Sequence, residues 1–238
     1  MNRKIILALI IMLSPLAVFA HEGHAQLSEP AGTLPGEGKY FFEKIGEWVD
    51  VNILTLGTKD KQAKKLRFAT ERLSELTQLI TQTESQEGDV REAAERYRNF
   101  LDSAENMAEV IIFLDGHEIA VAEKLEDETR HHEQVLGEYL GFTNLPHRSY
   151  IVEALNEART VNGQIFKFMV EKYQITDEDV EKHRKILDGH FEIVDALAEG
   201  TGRPADVAGL ITEARNHQKA GLNARAYELL NEAKDVLY

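Results

Sequence analysis

The sequence contains no cysteine, only five prolines, and no long hydrophobic run after its first twenty residues. The absence of cysteine excludes disulfide bonds, thiolate metal sites, covalent c-type haem and a lipid-modified amino-terminal cysteine. Residues 110–114 are the best later apolar stretch, far short of the roughly 18 residues that a membrane-spanning helix needs. We therefore expect a fold that packing alone stabilises and that does not span a membrane once its leader is removed.

The amino terminus has the pattern of a secretory signal peptide. A positively charged start precedes an apolar run over residues 5–13, and a small-x-small motif ends at Ala20. We predict that residues 1–20 are cleaved and that the mature protein is periplasmic or secreted. Cleavage after Ala25 is the alternative.

The chain is acidic, with a formal net charge of -14. Loss of the two basic residues of the leader makes the mature chain about two units more negative. Such a charge argues against nucleic acid as a partner, and it opposes anionic lipid surfaces unless cations bridge them. We expect a protein partner in the cell envelope, and the sequence leaves both a monomer and an oligomer open.

Apolar residues recur at helical spacing over most of the chain, and no strand pattern of useful length occurs. Leu66, Leu73 and Ile80, for example, lie on one helical stripe. Thr176 precedes three acidic residues, which predicts a helix that it caps. The fold class is therefore all-α: an elongated antiparallel helix bundle with a C-terminal helical hairpin.

Glycine and proline breaks divide the chain after the signal peptide. The predicted parts are a flexible tether over 21–38, an N-terminal helical bundle over 39–141, a long helical hairpin over 142–200 and a C-terminal helical hairpin over 204–238. The first helix of the bundle, over residues 40–54, is rich in aromatic residues. We expect its rings to anchor it on the bundle; they are Tyr40, Phe41, Phe42 and Trp48.

Two segments carry a family resemblance. Residues 34–47 read Leu-Pro-Gly-Glu-Gly-Lys-Tyr-Phe-Phe-Glu-Lys-Ile-Gly-Glu, and the next helix contains Ala-x-x-Arg-Leu-x-Glu at Ala69, Arg72, Leu73 and Glu75. A Leu-Pro turn before an aromatic helix, followed by this motif, resembles the exported helical domain of unknown function 5667. The resemblance covers roughly 34–140 and implies no activity. The family pattern does not require the histidines of the fourth and sixth helices.

The predicted cleavage would expose a histidine. His21 would then offer its α-amine and imidazole to one metal ion, and His24 follows three positions later. Nitrogen ligands of this kind suit Cu(II), Ni(II) or Zn(II). The alternative is a polar tether that happens to contain histidines.

A second metal candidate lies on the fourth helix. Glu128 and His131 have the Glu-x-x-His spacing that carboxylate di-iron bundles use twice, because residues three apart share a helix face. The motif occurs once here, and no His-x-x-x-His accompanies it. The ferritin-like and hemerythrin-like interpretations therefore fail on ligand count.

Three histidines, His132, His183 and His190, fall on apolar stripes where leucine or valine is expected. Buried imidazoles need partners. One interpretation is that each is hydrogen-bonded inside the bundle, with Glu128 orienting His132 and Asp179 orienting His183. The other is a mononuclear site between helices four and six. In that site His132 joins only one of the other two, since these lie about 10 Å apart.

No nucleophile elbow, glycine-rich phosphate loop or other catalytic motif is present. We predict a non-enzymatic, exported helical binding or accessory protein of the cell envelope. The alternative is a periplasmic protein that buffers or delivers a divalent metal. No cofactor is expected apart from Cu, Ni or Zn in that alternative, for which the candidate ligands are His21, His24, Glu128, His131, His132 and His183.

Overall fold

A computed structural model describes residues 26–82, 84–115, 119–142, 147–172, 176–202 and 204–238. The predicted signal peptide, His21 and His24 lie outside these ranges. The described residues form eight α-helices and no strand, which confirms the all-α prediction. The helices are α1 (Tyr40–Val49), α2 (Thr58–Thr81), α3 (Glu87–Asp115), α4 (Ile119–Leu140), α5 (Arg148–Lys172), α6 (Asp177–Gly200), α7 (Ala205–Lys219) and α8 (Asn223–Leu237), and a π-helical turn (Asp50–Leu54) continues α1.

Local residue chemistry explains how several helices begin and end. The Thr176 hydroxyl accepts a hydrogen bond from the backbone N–H of Asp179, and the Asp179 carboxylate accepts one from the backbone N–H of Thr176. This reciprocal pair satisfies two donors that a helix start would otherwise leave unpaired. Between α7 and α8, Gly221 has a φ of 77°, a left-handed conformation that closes the hairpin and favours glycine.

The helices pack as antiparallel pairs that share one core. α2 packs along α3, α4 along α5, and α7 along α8; α5 also contacts α3, and α8 contacts α6. The buried apolar side chains form one continuous core that reaches from Leu34 to Ala233. None of the helices within the described ranges is both long and apolar enough to cross a membrane.

Two of the predicted chain divisions differ from the observed packing. α5 and α6 do not form a separate hairpin over 142–200, because α5 lies on α4 and α3 while α6 lies mainly on α8. In the predicted tether, residues 26–38 lie against the bundle, where Leu34 is buried and the Glu29 carbonyl accepts a hydrogen bond from Ser74 at 2.6 Å. Polar side chains of the bundle thus satisfy the backbone of a segment that has few apolar residues.

Candidate functional site

Three of the four aromatic side chains of α1 point the opposite way from the prediction. Tyr40 and Glu47 are its buried residues, whereas its large apolar side chains are in solvent. We call the exposed apolar side chains of α1 and the π-helical turn, together with Leu56, the aromatic face. Its members and exposed fractions are Phe41 64%, Phe42 72%, Ile45 46%, Trp48 60%, Ile53 55%, Leu54 69% and Leu56 91%. We predicted that four rings anchor α1 on the bundle. Tyr40 is buried as predicted, whereas Phe41, Phe42 and Trp48 face solvent.

A buried guanidinium on α2 explains this inversion. Arg72 has no exposed surface. Because a buried cation must be paired, the carboxylates of α1 face inward and its rings are left outside. The distances from the Arg72 guanidinium are 2.6 Å to Glu43 Oε1, 2.9 Å to Glu47 Oε1, 3.1 Å to Glu71 Oε1 and 2.8 Å to Glu75 Oε1.

A second arginine, on α3, completes the attachment. Arg96 donates a hydrogen bond to the Tyr40 hydroxyl at 2.8 Å and forms an ion pair with Glu47. No residue of α1 belongs to the continuous apolar core, although α1 is described in full. Charge pairing rather than apolar packing therefore holds this helix. We call these groups the ionic cluster: Glu43, Glu47, Glu71, Arg72, Glu75 and Arg96.

The ionic cluster has four carboxyl groups for two guanidiniums, and burial makes this imbalance costly. Burial raises the pKa of Glu75 to about 8 despite the attraction of Arg72. Neither Glu75 oxygen accepts a well-formed hydrogen bond. Burial also raises the pKa of Glu47 and of Glu71. Burial opposes ionisation of Glu43 as well, but hydrogen bonds from Thr33 and Arg72 outweigh it and lower the pKa of that carboxyl.

Three carboxylates of the cluster come close enough to share one cation. Ligand oxygens of Glu43, Glu71 and Glu75 lie within 4.8 Å of one another, the one such group among the described residues. The Arg72 guanidinium lies within 3.1 Å of all three. Gly32 covers them, since a Cβ atom there would lie 2.5 Å from Glu71 Oε1. A side chain is thus the cation that these carboxylates bind.

His132 lies in the core between three helices. Its Nε2 is 2.9 Å from the Thr70 hydroxyl and its Nδ1 is 3.2 Å from the Tyr97 hydroxyl. Thr70 also lies 3.2 Å from the Leu66 carbonyl, to which it donates, so its oxygen is free to accept from Nε2–H. Burial lowers the pKa of His132 to about 3, which keeps the ring neutral. The hydrogen-bonded interpretation therefore describes this residue, but hydroxyls replace the predicted Glu128 as its partners.

The remaining metal candidates do not meet. His131 lies at the surface, 2.8 Å from the carbonyl of Gln26, and Glu128 lines a separate cavity of about 250 Å³. His183 is buried against the Phe166 ring, and neither of its ring nitrogens has a hydrogen bond. Within the described residues, no group of three metal-ligating side chains includes any predicted ligand. The His21 and His24 site stays a prediction.

A buried network between α4, α6 and α8 was missed by the sequence reasoning. Lys234 has no exposed surface and donates to Glu133 Oε2 at 2.7 Å. Its Nζ is also 3.1 Å from Nδ1 of His190, whose Nε2 lies 3.1 Å from Glu126 Oε1. Because lysine can only donate, the imidazole proton is on Nε2 and points to Glu126. We call these four residues the lysine network.

Neighbouring groups complete the lysine network and close it to solvent. Asn162 donates to the Glu126 carbonyl at 2.9 Å and accepts from the Tyr227 hydroxyl at 2.8 Å. Burial lowers the pKa of both His190 and Lys234, and it raises the pKa of Glu126. No member of the lysine network is more than 1% exposed. The arrangement could share a proton, but a substrate cannot reach it.

The sequence did contain a signal for this network. Ala226 and Leu230 lie on the buried stripe of α8, and the next position four residues on is Lys234. A charged residue at such a position predicts a buried partner. His190 was noticed, but its partners come from α4 and α8, which are distant in sequence.

A groove of about 780 Å³ lies between α4 and α6. Its two arginines already have partners in the protein. Arg130 contacts Glu126 and Asp127, and Arg148 donates to the Leu140 carbonyl at 2.6 Å. The aromatic face, by contrast, leaves seven large apolar side chains exposed within residues 41–56.

Comparison with known proteins identifies one family. The family model described as Domain of unknown function (DUF5667) matches residues 32–141, which contain α1 to α4 and the ionic cluster. No curated protein and no solved structure gives a significant match.

Proposed function

Residues 32–141 belong to the domain of unknown function 5667, and from that premise we propose that the protein is an exported, non-enzymatic helical binding protein of the cell envelope. It attaches to another envelope component through the aromatic face. The rest of the bundle is the accessory body that this attachment positions.

The exposed aromatic face is the observation that carries the proposal. Phe41, Ile45 and Trp48 repeat at positions i, i+4 and i+7, so they form one stripe along α1. Soluble monomers rarely expose a continuous apolar surface of this kind unless it binds something. Burying one such side chain completely against a partner contributes about 1.5–3 kcal/mol to the free energy of binding.

The ionic cluster supports a binding role because it holds the aromatic face in place before any partner arrives. Arg72 and Arg96 attach α1 to two long helices. Because the helix is already ordered, binding costs little further conformational entropy. The fully buried Arg72 beneath α1 indicates that the outward orientation of the aromatic face is a specific feature of the fold. The leader and the absence of a catalytic motif support the exported and non-enzymatic parts of the proposal.

Sedimentation with isolated envelope fragments tests this function. The variant Phe42→Ser/Leu54→Ser removes two of the most exposed members of the aromatic face, and Leu222→Ser/Val236→Ser removes two apolar side chains of 54% and 53% exposure elsewhere. We expect the wild type and the second variant to sediment with the fragments and the first to stay in solution. Both variants should unfold within about 0.5 kcal/mol of the wild type, since exposed side chains contribute little to stability. Equal sedimentation of all three proteins would refute the role of the aromatic face.

A further inference from the structure

We propose that the envelope component bound by the aromatic face is the interface of an anionic phospholipid bilayer. This inference rests on the proposed function and names its partner. α1 would lie in the plane of the interface, with the aromatic face among the headgroups and upper acyl chains.

The composition of the aromatic face suits a lipid interface. Phenylalanine, tryptophan, isoleucine and leucine on one side of a short helix are typical of helices that lie on membranes. In such helices the polar side usually faces water; here the polar side faces Arg72 and Arg96. The protein therefore presents the apolar side outward in a fixed position. Since no helix of the described residues could span the bilayer, the contact would be shallow.

The charge around the aromatic face is opposite to the charge of the chain as a whole. Residues 39–67 contain seven basic and four acidic side chains, a balance of +3 in that stretch of the sequence, whereas the whole chain carries -14. Lys44 pairs with Glu92 of α3 and Lys64 pairs with Asp50, so the exposed Lys39 is the basic residue that stands beside the rings. Two of the four acidic residues, Glu43 and Glu47, point inward to Arg72. The basic residues are Lys39, Lys44, Lys59, Lys61, Lys64, Lys65 and Arg67. This local positive charge complements anionic headgroups.

The same charge argues against a second copy of the chain as the occupant. A symmetric dimer through the aromatic face would bring two identical sets of basic residues together. Lys39 of each copy is exposed beside the rings, and like charges across an interface repel. A lipid surface offers the opposite charge over the whole contact.

The single tryptophan of the chain provides a direct test, because Trp48 lies in the aromatic face. The full exported protein would be titrated with vesicles of phosphatidylglycerol and phosphatidylcholine, and with vesicles of phosphatidylcholine alone. We expect a blue shift of Trp48 emission and protection from acrylamide with the anionic vesicles, and a weaker response with the neutral ones.

Matched variants make the expectation quantitative while keeping Trp48. Phe42→Ser/Leu54→Ser should weaken binding to anionic vesicles about a hundredfold, at about tenfold for each lost side chain. Leu222→Ser/Val236→Ser should bind as the wild type does. Lys39→Gln should weaken binding about fivefold on anionic vesicles only, whereas Lys219→Gln, at the far end of α7, should have no effect.

Three results would overturn the inference. If neither type of vesicle shifts the Trp48 emission, a lipid interface is excluded. An emission shift that depends on protein concentration without lipid identifies a second copy as the occupant. Sedimentation with envelope fragments that requires the aromatic face, together with no vesicle binding, identifies a protein partner and leaves the proposed function standing. If the protein neither sediments with envelope fragments nor binds vesicles, both proposals are refuted.

Discussion

The ionic cluster and the lysine network are built alike but placed differently. Each surrounds one cation that has no exposed surface. Arg72 meets carboxyl groups of α1 and of its own helix α2, and Lys234 meets Glu133 of α4. The lysine network lies inside the continuous core, between helices that also share apolar contacts. The ionic cluster lies under a helix that contributes nothing to that core.

The comparison shows that a buried ion pair can serve two purposes in one protein. In the lysine network, charges specify how helices that already attract one another are arranged. In the ionic cluster, charges are the main attachment of α1, and they determine which of its sides faces solvent. Perturbing the first should affect the whole fold, and perturbing the second should affect α1 first.

The largest effect is expected from Lys234→Met. This change leaves Glu133 buried, with only the more distant Arg159 at 3.6 Å as a cationic neighbour. We expect a loss of about 4 kcal/mol in the free energy of unfolding, because Glu133 loses its buried hydrogen-bonding cation and keeps only the longer contact with Arg159. Urea unfolding followed by circular dichroism measures it, with the exposed Lys219→Met as control. A loss as small as the control's would show that the lysine network does not stabilise the fold.

A smaller and more local effect is expected from Arg72→Met. We expect a loss of about 3 kcal/mol, since removal of one partner leaves buried carboxylates uncompensated. Amide hydrogen exchange should speed up first in residues 40–54, while α8 keeps its protection. In Lys234→Met, by contrast, protection should fall throughout the core. Arg91→Met, which removes a 63% exposed arginine of α3, is the control. Uniform loss of protection in Arg72→Met would contradict the comparison.

The most gradual effect is a pH dependence of stability that arises in the ionic cluster. Glu75 has a folded pKa of about 8 and an ordinary value of 4.5. Between these values the folded state keeps a proton that the unfolded state has lost, so stability falls as pH rises. The slope is at most about 1.4 kcal/mol per pH unit. Glu75→Gln should reduce that slope most clearly between about pH 7 and 8, because Glu105, whose pKa burial raises to about 7, contributes in the same direction at lower pH. The exposed Glu171→Gln should retain the full slope in urea titrations from pH 5 to 9.

His132 contributes a dependence of stability on pH that is opposite in sign to that of Glu75. Its pKa falls from 6.5 to about 3 on folding, because burial disfavours the charged ring. Between these values the unfolded state binds the extra proton, so stability falls as pH decreases below about 6.5. An unchanged alkaline slope in Glu75→Gln would show that the ionic cluster is not its source.

The helices were predictable because their signals are local. Thr176 and the acidic residues after it specify a helix start within four positions, and the observed capping box follows from them. The pairing of α5 with α4 rather than α6 was not predictable. All of these helices have similar apolar stripes, and a stripe does not say which neighbour covers it.

The candidate site was less predictable because its parts meet only in the folded chain. Arg72 was noted as part of a family motif, yet nothing near it in sequence indicates that Glu43 and Glu47 are its partners. His132 was correctly placed in the core, but Thr70 and Tyr97 come from other helices. Partner choice over such separations depends on helix packing, which local periodicity does not contain.

By itself, the sequence determined the helical class, most helix positions and the positions of the buried histidines. It did so because helix propensity, capping and the period of apolar residues act over a few neighbouring positions. Only the tertiary structure decided that Phe42 and Trp48 face solvent. A buried Arg72 requires the α1 carboxylates more strongly than the core requires the α1 rings, and that balance exists only once α1 and α2 are in contact.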